Sequence, residues 1–137
     1  MVEGGVAPSG GPGLWASLHA REPYRLIEFL VNGLGFVVGV VHGADSVVHH
    51  AELRWPQGGG RMMGSSRESD QDGSFALSPG TFRCYLVTDD TDELFARSLN
   101  AGAVAIDEPS DTSFGSRQAV VRDFEGNQWS FGTYRGE

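Results

Sequence analysis

Apolar and polar positions alternate with the period of a strand along most of the chain and shift to a helical period twice. "LWASLHA" alternates. "PYRLIEFLVNGLG" then places Leu26, Ile27, Leu30 and Val31 on one helical face, with Pro23 at the start and Gly33 or Gly35 as the stop. "FVVGVVHG" and "SVVHHAELRW" read as β-branched strands around the turn "HGADS", and "GGGRMMGSS" reads as a short fourth strand or an edge entered through glycines. The following "GSSRESDQDGSFALSPG" is polar and aperiodic, the pattern of a linker or flap with Phe75 as its one apolar anchor.

The order then repeats. "TFRCYLVTD" is a strand, "DTDELFARSLNAG" a helix opened by an Asp or Thr cap, and "AVAIDEPS", "SRQAVVRDF" and "QWSFGTY" are three more strands. The last two are joined by Asp123-Phe124-Glu125-Gly126-Asn127, a hairpin in which Gly126 takes the left-handed position at least steric cost. The pattern is β-α-β-β-β written twice. It predicts an α+β fold in which two modules, about 14–66 and 80–135, pack together because neither closes a core alone, with their strands curving around a concave cavity. A polar loop over 64–80 links them, and a flexible tail over 1–13 precedes a single domain over 14–137.

Length supports one domain with a core of its own, since the chain has 137 residues. Ten Lys and Arg against eighteen Asp and Glu give a net charge of −8, which argues against a nucleic-acid backbone as partner. The same acidity gives solubility and draws cationic molecules toward a cleft. Cys84 is the only cysteine, so an intramolecular disulfide is impossible; within "FRCYLV" it reads as a buried, inert thiol. No stretch approaches the roughly 20 apolar residues of a membrane span, and the Gly- and Pro-rich start lacks the apolar core of a signal peptide. A cytoplasmic protein is the expectation.

The duplicated order, "IEFLVNGLGF", "VTDDTDELFARSLNAGA" and above all "SFGSRQAVVRDFEGNQWSF" resemble the vicinal oxygen chelate superfamily of glyoxalases, fosfomycin- and bleomycin-resistance proteins and extradiol dioxygenases. The last stretch is similar to that family's closing D-P-D-G-N-x-W-E-F hairpin. The resemblance runs from about Leu14 to Tyr134. It implies a divalent metal held by His, Gln or Glu from the first strand of each module, by a fourth-strand position, and by a Glu in the last strand. Here those positions fall on Trp15, twenty residues before Gly35; on Arg83, nineteen before Gly102; near Met62 or Met63; and on Ser130, seven after Asp123. Trp and Arg cannot act as such ligands, Ser is a poor one, and Met is too soft for these ions. The resemblance therefore implies a metal-free branch similar to the bleomycin-resistance proteins, with no cofactor and no metal-assisted catalysis.

Alternation along the strands places Trp15, Ser17 and His19, then Arg83, Tyr85 and Val87, then Gln128 and Ser130 on the concave face with the former ligand positions. Trp15 and Tyr85 either wall a pocket or fill the trough as core. Arg83, in an apolar strand, must meet an acid, a ligand or water, and Glu52 is the acid the pattern offers. His49 and His50 point to opposite faces and cannot both enter one site without a bulge, so these histidines read as exposed or singly satisfied, with His50 and Glu52 lining the cavity together as the alternative. Arg117, after the turn "TSFGS", either meets an anionic group at the mouth or is a solvated loop arginine.

The reading that follows is a homodimer that binds a small aromatic or cationic molecule without altering it. Two alternatives stand beside it. One is a metal-dependent lyase or dioxygenase with ligands displaced to His19, His50 and Glu52; the other is a non-catalytic protein-interaction module with an exposed apolar patch.

Overall fold

The computed structural model describes residues 15–65 and 79–136. The tail expected over 1–13, and residues 66–78 of the loop expected over 64–80, lie outside the described residues. Among the described residues, eight strands form two four-stranded mixed sheets, each with the same internal order.

In the first half, β1 (Ala16–Ala20) turns Leu18 and Ala20 inward and Ser17 and His19 to the other face. The helix α1 (Pro23–Phe29) has Pro at its first position and buries Leu26, Ile27 and Phe29. It runs into a π-helical turn over Leu30–Leu34, in which the Leu30 carbonyl accepts the amides of Gly35 at 3.0 Å and Phe36 at 2.9 Å. Gly35, at φ 102°, stops the helix in the left-handed region. The strands β2 (Val37–Ala44) and β3 (Val47–Arg54) form a hairpin over Asp45–Ser46, with Asp45 itself at φ 54°. Next comes β4 (Gly60–Ser65). The order is β1-β4-β3-β2, with β1 parallel to β4 and the other pairs antiparallel. The fourth strand is thus interior to the sheet, paired on both sides, and not an edge.

The second half repeats this with β5 (Arg83–Val87), α2 (Thr91–Asn100), β6 (Val104–Asp111), β7 (Arg117–Arg122) and β8 (Gln128–Gly132), in the order β5-β8-β7-β6. Asp90 caps α2, its carboxylate accepting the Glu93 amide at 3.0 Å, and Asp92 and Glu93 in the first turn complement the helix dipole.

The inner faces of the two sheets share one core among the described residues. Leu18, Ala51, Leu53 and Met63 from the first sheet and Leu86, Val121, Trp129 and Phe131 from the second join Leu26, Leu30, Leu34 and Phe36. An aromatic contact crosses the seam between the halves, Phe36 meeting Trp129 edge-on at 5.8 Å, while within the first half Phe36 packs on Trp55 at 4.9 Å. The Trp55 indole donates to the Val87 carbonyl at 3.0 Å. Each sheet therefore turns one face to the core and the other away from it. Among the described residues no helix is long and apolar enough to cross a membrane.

Candidate functional site

The seam opens on one side into a cavity of about 380 Å³. Trp15, at the entry to β1, and Tyr85, on β5, are among its lining residues. Phe36, Trp55, Arg61 and Cys84 line it as well, together with the glycines at 58–60. Two of these side chains come from places that strand periodicity makes unremarkable. Trp55 follows the last residue of β3. Arg61 lies two residues before buried Met63 on β4, and is itself only 3 % exposed. That spacing is the signal that could have marked Arg61 as inward-facing.

Arg61 is the unusual member. Its guanidinium lies 3.6 Å above the Phe82 ring, and among the described residues its Nε and Nη2 have no hydrogen-bond partner. Burial pulls its pKa down to about 10, against a smaller upward pull from Cys84, so it remains a cation at neutral pH. The Cys84 thiol is pushed up from its ordinary value by burial, which outweighs the attraction of Arg61 for a thiolate.

The residues expected to share one concave face lie on two sheets. Ser17 and His19 (β1) share the outer face of the first sheet with His50 and Glu52 (β3), and Trp15 covers Gly60 beside Arg54, whose guanidinium is 5.5 Å from its ring. On the second sheet Arg83 stands opposite Gln128, and Tyr85 opposite Ser130. The Tyr85 hydroxyl donates to the Tyr134 carbonyl at 2.7 Å and Ser130 to the Cys84 carbonyl at 3.2 Å. Of this set, the cavity at the seam brings together Trp15 and Tyr85. The partner expected for Arg83 is corrected: Glu52 instead bonds its own strand neighbour His50 at 2.8 Å, and Arg83 is exposed. Two residues apart on one strand, His50 and Glu52 necessarily share a face, which favours the local pair. Arg117 is held by two carboxylates, Nε to Asp92 at 3.1 Å and Nη1 to Asp111 at 3.1 Å; these bonds, Asp92 foremost, raise its pKa.

The register settles which methionine takes the fourth-strand position. Met62 pairs with Ser17 and Glu52 on the outer face, while Met63 is 2 % exposed in the core. The positions that the resemblance implies for a divalent metal carry Trp15, Met62, Arg83 and Ser130, side chains that do not suit such an ion. His42 stacks on His50 at 6.5 Å, yet among the described residues no three His, Cys, Asp or Glu side chains gather as a metal-holding group, His19, His50 and Glu52 included.

No protein-family model matches the chain. An uncharacterized protein of Mycobacterium bovis is 31% identical over 127 residues, covering 88% of this chain and 82% of its own length. Among solved structures, TioX from Micromonospora sp. ML1 is 29% identical with a TM-score of 0.73, covering 91% of this chain and all (100%) of that one. A glyoxalase/bleomycin resistance protein from Streptomyces sp. CB03234 is 22% identical with a TM-score of 0.63, covering 85% of this chain and 96% of that one. TnmS3, an antibiotic binding protein from the same strain, is 22% identical with a TM-score of 0.64, over 93% of this chain and 97% of its own. The last two likenesses establish the shared fold.

Proposed function

We propose that this chain, which shares the fold of glyoxalase/bleomycin resistance proteins, is a small-molecule-binding member of the vicinal oxygen chelate superfamily, sequestering an aromatic compound without a metal and without altering it. The observation that carries this reading is the cavity at the seam. Its volume of about 380 Å³ suits a drug-sized or smaller molecule, and the aromatic side chains of Trp15, Phe36, Trp55 and Tyr85 are in its lining. The likeness to an antibiotic binding protein supports an antibiotic as the kind of compound held. A metal-free mode is supported by the unsuitable donors at positions 15, 62, 83 and 130.

The proposal includes a cytoplasmic homodimer. Val37 and Val38 on edge strand β2, and Val104 and Ile106 on edge strand β6, are exposed apolar side chains that a second copy would cover. The lone cysteine suits a reducing compartment.

A thermal-shift screen of aromatic antibiotics, followed by mass spectrometry of the recovered compound, tests the reading. A ligand at about 100 times its Kd should raise the unfolding midpoint by roughly 5 °C or more and be recovered unchanged. Turnover of the compound, or absence of any shift across the screen, would refute sequestration.

A further inference from the structure

We propose that the seam cavity holds its aromatic ligand through an anionic oxygen, a carboxylate or phenolate, paired with the guanidinium of Arg61. This rests on the small-molecule reading above and adds the ligand's charge and chemistry. A buried guanidinium is expensive unless its donors are met, and Arg61 is 3 % exposed with Nε and Nη2 unmet among the described residues. The Phe82 ring at 3.6 Å answers the positive charge from one face but accepts nothing in the plane of the fork, where the N–H groups point. That plane is where a carboxylate binds, two oxygens against two N–H groups.

Among the described residues no carboxylate bonds Arg61 at this place. The titratable group coupled to Arg61 is Cys84, and burial keeps that thiol protonated at neutral pH. The cavity thus combines a cation with no counter-ion among the described residues and a lining that includes Trp15, Phe36, Trp55 and Tyr85. A planar aromatic anion is complementary to both.

The net charge of −8 acts the other way, but from a distance. Exposed charges are screened over about 8 to 10 Å at physiological ionic strength, whereas a contact pair in a partly dry cavity keeps most of its attraction. Local complementarity decides the ligand's charge, and the surrounding acidity lowers the rate of capture.

Matched probes test the assignment. The wild-type protein is titrated with 2-naphthoate and with 2-naphthalenemethanol, read by quenching of tryptophan emission and confirmed by calorimetry. The carboxylate should bind about tenfold more tightly or better, a preference measured without any variant. Arg61→Met, checked for folding by circular dichroism, should bind the two probes alike, and Arg61→Lys should keep part of the preference. Equal or weaker binding of 2-naphthoate by the wild type overturns the anion assignment and leaves the small-molecule reading standing. So does a preference that survives in folded Arg61→Met, since the anion is then held elsewhere. If neither probe binds, the cavity reading itself falls, and the assignment with it.

Discussion

Asp123 organises the closing hairpin with a single carboxylate. One oxygen accepts the amides of Glu125 at 2.8 Å and Asn127 at 3.1 Å; the other accepts the Trp129 indole at 2.8 Å and the Asn127 side-chain amide at 3.0 Å. All of this is buried, Asp123 being 3 % exposed. Asp123→Asn keeps the shape but turns an NH2 group toward donors, so it should cost about 2–4 kcal/mol in urea unfolding. An unchanged midpoint would show that water replaces these bonds. The hairpin was legible in the sequence, because an Asp, a Gly and an Asn between two alternating runs have few other uses, and Gly126 does lie at φ 102°. The inward turn of Arg61 was legible only once Met63, two residues on, was known to face the core, and the sequence left Met62 and Met63 undistinguished. Alternation says which residues share a face and leaves open what covers it.

Among elements, α1 depends on the far end of the chain. Glu22 precedes it without a side-chain cap of its own, and the Glu125 carboxylate takes the role, accepting the amides of Arg21 at 2.8 Å and Glu22 at 2.9 Å. A carboxylate at a helix N-terminus satisfies orphan donors and meets the positive end of the dipole. Glu125→Gln retains one acceptor and loses the charge, so it should cost about 1–2 kcal/mol and speed hydrogen exchange at the Arg21 and Glu22 amides ahead of the rest of α1. Slowed or unaltered exchange there would rule out the cap. The existence and order of the elements were readable from periodicity and the two glycine stops. This bond was not, since it links residues about a hundred positions apart and depends on how the halves dock.

Taken as a whole, the molecule is two halves joined at a seam, and Cys84 reports on that seam. With its pKa raised by burial, little thiolate forms at pH 8, so iodoacetamide should modify native Cys84 at least about tenfold more slowly than the urea-unfolded chain. Similar rates would mean that the halves separate readily. The sign for stability follows: the contribution is intact below the ordinary thiol value of 9.0 and is lost as pH rises through the higher folded value. The seam cavity itself could not be read from sequence, because the expected concave residues fall on two sheets, and the cavity forms where inner faces from both halves approach. The π-helical turn at Leu30–Leu34 gives the duplication its direction. Gly35 follows Pro23 by twelve positions, but Gly102 follows Thr91 by eleven, so the first copy carries one extra residue. The widened turn presents the carbonyls of Val31 and Asn32, and Arg97 of the second copy donates to both, at 3.2 and 2.8 Å. A repeat whose copies were interchangeable could pair like with like. An added residue in one copy and an arginine in the other make a socket and a plug, so the two halves are not interchangeable.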